Sequence, residues 1–413
     1  MTAERHFERD VRELLVDLYL EPAPDYRHNL APRFAATPQR SAWTIPERWL
    51  PMSVTTLARQ TLRPIPWRTL GLIAALALLL LVAIVAYLVG TRPSVPLPYG
   101  PAKNGLVAFE EAGDIVVVDP ATGTRTVAIG GPTLDTNPVF SRDGTRLAFR
   151  RVIDRDAEIF VADATGRDPR VLATSSIGDF ETIEWSPDGS SILTMKLLAD
   201  RQVWIAIVPV DGSAPRVLDL GMPAQDAVWL PPNGAEIMFR TPNPAGEEFG
   251  YSLMAVGGDG SGLREVVPVG RYEWDSLFWS ASPDGTLIAY QQRDPANEIQ
   301  KIYIVPVAGG TPRAVTSIES VLRSWSPDGA WLSFASDDDA VYAVPVDGSA
   351  PAQQLSVGIP TNALLWTPDG AHILVAEESG TMKLFDPRGG PPEVLDWRAE
   401  TALDWQRLAP PTR

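Results

Sequence analysis

Trp185-Ser-Pro-Asp-Gly189 returns as Trp325-Ser-Pro-Asp-Gly329 and as Trp366-Thr-Pro-Asp-Gly370. Trp279-Ser-Ala-Ser-Pro-Asp-Gly285 carries the same unit with two extra residues. Phe140-Ser-Arg-Asp-Gly144 and Trp229-Leu-Pro-Pro-Asn-Gly234 are degenerate copies. The glycines fall at 144, 189, 234, 285, 329 and 370, at intervals of 45, 45, 51, 44 and 41 residues. Repeats of roughly 40–50 residues built from short strands predict an all-β fold, a β-propeller of four-stranded blades.

The unit has a physical reading. Proline presets φ for a turn, and Asp-Gly supplies the positive-φ position a hairpin needs. The third residue after each glycine is Leu147, Ile192, Ile237, Ile288, Leu332 or Ile373, always apolar. The second is Arg146, Ser191, Glu236, Leu287, Trp331 or His372, which is mixed. That pattern predicts a strand with one packed and one freer face. A second strand follows, as in 158–163, 301–305 and 341–346, then a turn at Asp211-Gly212, Gly309-Gly310 or Asp347-Gly348. Arg170-Val-Leu172, Arg216-Val-Leu218 and Glu393-Val-Leu395 read as the strand that ends a unit.

These repeats resemble the TolB-type, WD-repeat-like propeller family, whose hallmark is the Trp-Ser-Pro-Asp-Gly turn. The resemblance covers about residues 104–408. It implies blades around a central channel that mostly bind other molecules, and it implies no particular activity. TolB has an extra globular domain and a cleaved signal before its propeller, which this sequence replaces, so a Tol–Pal role is not expected.

The aromatics that open each unit are Phe140, Trp185, Trp229, Trp279, Trp325, Trp366 and Trp405. The last has no second strand after it. Leu106-Val-Ala-Phe109 and Ile115-Val-Val-Val118 have no first strand before them. Joining these pieces completes one blade and removes an exposed edge. Seven blades are expected, with six as the alternative, and residues 409–413 form a disordered tail.

Upstream, no charged residue lies between Arg68 and Arg92, and Leu70 to Gly90 reads LGLIAALALLLLVAIVAYLVG. About 20 apolar residues cross a bilayer as a helix. A transmembrane helix over 69–91 is therefore expected. Arg48, Arg59, Arg63 and Arg68 precede the run, and only Arg92 and Lys103 follow it closely. That bias predicts a cytoplasmic N-terminus and an extracytoplasmic propeller. Residues 1–68 hold ten cations and eight anions; residues 92–413 hold 25 and 43.

Within 1–68, residues 4–20 read as an amphipathic helix with Phe7, Val11, Leu14, Leu15 and Leu18 on one stripe. Pro22 and Pro24 end it, and recurring prolines predict disordered chain up to the span. A short cytoplasmic helix, one span and a large outer domain resemble the layout of transmembrane anti-sigma factors. Many of those carry a His-x-x-x-Cys-x-x-Cys zinc motif, which a chain without Cys lacks. The segment 92–103 contains Pro93, Pro96, Pro98 and Pro101 and reads as a semi-rigid polyproline spacer.

Composition narrows the chemistry. The formal net charge is -16, which argues against sequence-independent nucleic-acid binding. With no Cys there is no disulfide, Cys-zinc cluster or Cys nucleophile. The histidines are His6, His28 and His372, and His372 occupies the mixed position of the repeat. No Gly-x-Ser-x-Gly elbow is present. Asp154, Asp156 and Glu158 alternate, but Ile159 stands where a calcium loop needs Gly. Asp337-Asp338-Asp339 reads as a hairpin tip, Gly257 to Gly262 as a turn, and the repeated Trp residues as packing rather than a stacking platform.

No catalytic, cofactor-binding or metal residue is therefore assigned, the binding residues are left unknown, and no cofactor is expected. The expected function is a binding or protein-interaction module, with Thr241–Tyr251 as the loop that carries variation. Its partner would be a protein or cell-envelope ligand. The alternatives are a transmembrane regulator whose helix 4–20 holds a cytoplasmic protein, and an extracytoplasmic hydrolase or lyase, since fold alone does not fix function.

Overall fold

The computed structural model describes residues 97–409, apart from 155, 177–181, 198–202, 243–249, 272–277, 295, 358–360 and 400, together with 74, 75 and 77–81. The chain parts into two units, 1–92 and 93–413. In the first, the described residues from Ala74 to Leu81 are helical. Among the described residues no helix is long and apolar enough to cross a membrane. The rest of the 70–90 run and the helix expected over 4–20 lie outside the described residues.

The second unit is built from seven antiparallel four-stranded sheets. Blades one to six are 134–176, 184–217, 225–271, 279–314, 321–354 and 361–398. The seventh joins 401–408 to 103–111, 114–118 and 125–129. Among the described residues, the first strands of neighbouring blades touch at every junction but that between blades three and four, and together they surround the axis. Their order runs outward from there, so the seventh blade takes its innermost strand from the C-terminal segment. Trp405 pairs with Val107 and Asp404 with Ala108 across that seam. The termini therefore close the ring, and no blade is left with an open inner edge.

The core lies between blades rather than at the centre. Seven separate apolar clusters fill the spaces between neighbouring sheets. The repeated apolar position, Leu147 through Ile373, is fully buried in all six copies. A single packed face was expected for this strand, and the structure corrects that. Leu147 and Phe149 pack toward blade seven while Ala148 packs toward blade two. A sheet held between two sheets buries both faces, so its strands read as continuous apolar runs. The mixed position is half-buried because it opens the strand beside the turn.

The turn itself is a small network. Ser186 Oγ donates to Asp188 Oδ1 at 2.7 Å and accepts the Ser191 N–H at 2.9 Å. Asp188 Oδ1 also accepts the Ser190 N–H at 2.9 Å. The same bonds recur around Ser141–Asp143, Ser282–Asp284, Ser326–Asp328 and Thr367–Asp369. Gly144 shows why glycine is required: its φ is +71°, and a Cβ there would lie 2.0 Å from the Arg407 carbonyl oxygen.

Blade four departs from the expected pattern. Ala281, not Trp279, pairs with Ile288, and the Ser282–Gly285 turn is complete. There are no two extra residues; the aromatic has moved two positions along the strand. A shift of two keeps it on the same face, and Trp279 is half-buried against the cluster between blades three and four.

A further repeat links the blades. The arginine that opens the outermost strand donates to a backbone carbonyl of the next blade: Arg170 to Val210, Arg216 to Gly258, Arg264 to Val307 and Arg313 to Val346. Inside blade one, Asp135 is fully buried and receives Arg151 in a two-bond pair at 2.7 and 3.0 Å. The Arg151 guanidinium also lies 4.6 Å over the Phe160 ring.

Candidate binding site at the channel mouth

Two residues after the aromatic slot, the repeat places Pro187, Pro231, Pro283, Pro327 and Pro368. In blades one and seven, which are neighbours in the ring, this place is taken by Arg142 and Arg407. Proline presets the turn and offers no donor; an arginine in its place brings a fixed charge to the channel mouth. One residue before the aromatic, where side chains project to the other side of the strand, stand Glu184 and Asp404. Arg142 pairs with Glu184. Asp404 Oδ2 accepts the Phe140 N–H at 2.6 Å.

Leu97 to Ala102 lies against this group. Arg407 donates to the carbonyl oxygens of Leu97, at 3.2 Å, and Gly100. The Arg142 guanidinium sits 4.8 Å over the Tyr99 ring. The Ala102 N–H donates to the Pro368 carbonyl at 2.7 Å. The described end of the spacer expected over 92–103, from Leu97 to Ala102, thus lies against the propeller.

The electrostatics follow from burial and proximity. Burial, opposed by Arg142, pushes the Tyr99 phenol up to about 12. Burial works against the Arg142 charge, but the Glu184 carboxylate outweighs it and holds this guanidinium above its ordinary value. Burial and the neighbouring Arg142 charge pull Arg407 down to about 10. Burial lifts the Asp404 carboxyl above its usual range, against the Phe140 N–H and the Arg142 charge. The Tyr99 hydroxyl and Arg407 Nε are buried with no hydrogen-bond partner among the described residues.

A cavity of about 220 Å³ lies under Tyr99 and Gly100, walled by Trp325, Trp366 and Trp405. A smaller one of about 100 Å³ adjoins Glu184 and Asp404. Wider clefts, of about 690 and 470 Å³, sit between blades four and five beside Arg313 and Trp331, and between blades six and seven beside His372. The wider clefts are walled mainly by strand ends and turns, with Arg313 committed to the Val346 carbonyl. The mouth is where charged side chains from several blades converge.

The residues singled out from sequence do not gather there. Glu158 is in a strand, accepting from Thr174 Oγ1 at 3.2 Å, while Asp154 is at a hairpin with φ 54°. Asp338 accepts from Ser336 Oγ within a tight hairpin. Gly257 to Gly262 is an outer turn in which Asp259 accepts the Ser261 N–H at 2.9 Å. Thr241 and Tyr251, the ends of the proposed variable loop, are strand residues facing Ser252 and Pro242, and 243–249 lie outside the described residues. Among the described residues no three acidic or histidine side chains are placed to share a metal ion. The mouth cluster had one legible signal, the two arginines in the proline place, and it went unread.

The fold and this mouth define the class: a seven-bladed β-propeller sealed by its own termini, with a charged cluster at the seam. No protein-family model matches the chain. YuxL, an uncharacterized peptidase of Bacillus subtilis (strain 168), is 30% identical over 117 residues, which are 26% of this chain and 18% of that protein. This chain thus matches less than a fifth of that relative's length. Among solved structures, an oligogalacturonate lyase in complex with manganese has a TM-score of 0.55 at 14% identity, over 66% of this chain and 82% of that one. TolB from Acinetobacter baumannii has a TM-score of 0.45 at 14% identity, over 78% and 70%. These likenesses concern the fold; the lyase and peptidase activities belong to those proteins.

Proposed function

We propose that this chain is a single-pass bacterial membrane protein that presents its propeller outside the cytoplasm as a binding module for a protein or cell-envelope ligand. The observation that carries the reading is the uncharged run Leu70–Gly90, long enough to span a bilayer, with its cationic flank on the N-terminal side. The acidic balance of 92–413 does not oppose an outward domain, since the positive-inside bias counts cations near the span and not net charge.

Because the chain has no Cys, a single introduced thiol reports one place. In the full-length chain expressed in a bacterial inner membrane, Ser349→Cys is expected to react with a membrane-impermeant maleimide in intact spheroplasts. Ser41→Cys is expected to react only after permeabilisation. The reverse pattern, or recovery of the chain in the soluble fraction, rejects the reading.

A second reading is favoured by one feature, the apolar stripe at helical spacing in the sequence of residues 4–20. In it the chain is a transmembrane regulator whose N-terminal helix holds a cytoplasmic protein. Full-length chain and a Leu14→Glu, Leu18→Glu variant would be compared as bait; equal recovery of every bound protein removes that reading.

A further inference from the structure

The segment Leu97–Ala102 is held by side chains and by one main-chain bond, Ala102 to Pro368, not by a sheet. Tyr99 and Gly100 share one cavity with Pro283 of blade four, Ser324 of blade five, Leu365 of blade six, Asp404 of blade seven and Arg142 of blade one. A segment that borders one cavity together with the inner-strand ends of five of the seven blades lies over the axis of the ring. We propose that Leu97–Ala102 is a clasp that shuts this mouth of the central channel, so that ligands reach the channel from the opposite face alone.

The parts of the clasp come from separate blades. Arg407 grips two of its carbonyls, and Arg142 covers the Tyr99 ring. Downstream, Asn104 and Asp369 exchange two hydrogen bonds, at 2.9 and 3.0 Å, which fix where the segment enters the seventh blade. Gly100, at φ +88°, makes the bend with open space around it. The grip on Leu97 to Gly100 uses charge-assisted bonds to main-chain oxygens and one cation–π contact. All of these break without unzipping a strand. Among the described residues the Tyr99 hydroxyl has no hydrogen-bond partner, so the ring acts as a plug and is not bolted through its tip. The clasp is also the stretch that ties the propeller to residues upstream. The inference stands apart from the membrane reading, since it concerns only contacts inside 93–413.

The test places a thiol beneath the plug. Ser324→Cys lines the cavity, and Asp339→Cys sits on an exposed hairpin of the other face. The reagent is a polymer-conjugated maleimide too wide to thread the channel, applied to the full-length chain. With the native clasp, Ser324→Cys is expected to react far more slowly than Asp339→Cys. Adding Tyr99→Ala, or separately Arg407→Lys, is expected to speed Ser324→Cys by about tenfold or more, the effect of losing one or two such contacts. Asp339→Cys should be unchanged. Circular dichroism confirms that the ring is intact, and the two independent clasp variants guard against a folding defect in either. Equal rates at the two positions in the native clasp, or no acceleration in a folded clasp variant, overturn the proposal.

Discussion

Gln406 stands where five of the other six blades have Ser or Thr; blade three has Leu230 there. In those five blades the hydroxyl accepts the N–H of the residue that opens the next strand, five positions on. In blade seven that next strand is not connected, because it comes from the N-terminal end of the propeller. The longer amide does the same work across the break: its Oε1 accepts the Leu106 N–H at 3.0 Å, and its Nε2 donates to the Gly144 carbonyl at 2.6 Å. It is buried, so both backbone groups depend on it. Gln406→Ala should destabilise the propeller by about 2–4 kcal/mol, the cost of leaving one buried donor and one acceptor unmade. Chemical denaturation checks this. Gln406→Glu keeps the acceptor for the Leu106 N–H but sets a carboxylate oxygen against the Gly144 carbonyl in a buried site. At pH 7 it should therefore lose at least as much as Ala, and a near-native midpoint would contradict the account.

At the scale of the element, the repeated turn is a carboxylate device. Burial opposes ionisation of Asp143, Asp188 and Asp284, but bonds from the Ser141, Ser186 and Ser282 hydroxyls and from the following N–H groups outweigh it. Each carboxyl is thus held below its ordinary value. The folded state then binds protons less readily than the unfolded one. Its stability from these groups is complete above about pH 4 and falls as pH drops through the depressed folded values. Thermal melts of the native chain should therefore fall steeply below about pH 4. In a Ser141→Ala, Ser186→Ala, Ser282→Ala variant the midpoint should be lower at pH 7 and the acid slope shallower. An unchanged slope would show that other carboxyls govern acid unfolding.

At the scale of the whole molecule, stability is circular. Each blade buries both faces against its neighbours, so no blade has a core of its own. The seam between 401–408 and 103–111 completes the circle, and four arginine bonds tie blades one to five in series. Deleting 401–413 removes the inner strand of blade seven and bares the edge of 103–111. The truncated chain should lose its single cooperative melt and self-associate through that edge. Calorimetry with size-exclusion chromatography reads both, and a monomer melting at the native midpoint would contradict closure by the tail.

Much of this was legible along the chain. The glycine spacing, the apolar third residue and the stranded halves at the two ends set the blade count and the closing seam, because turn chemistry and strand period are local. Tertiary structure alone decided three things. Both faces of each sheet are packed, which depends on what lies beside a blade and not on its own period. Ala281 fills the aromatic place in blade four, which only register reveals. And Tyr99, Arg142, Glu184, Asp404 and Arg407, scattered over some three hundred positions, meet at one mouth. Ring closure brings the two ends of the domain together, and no local pattern records a contact made by closing a circle.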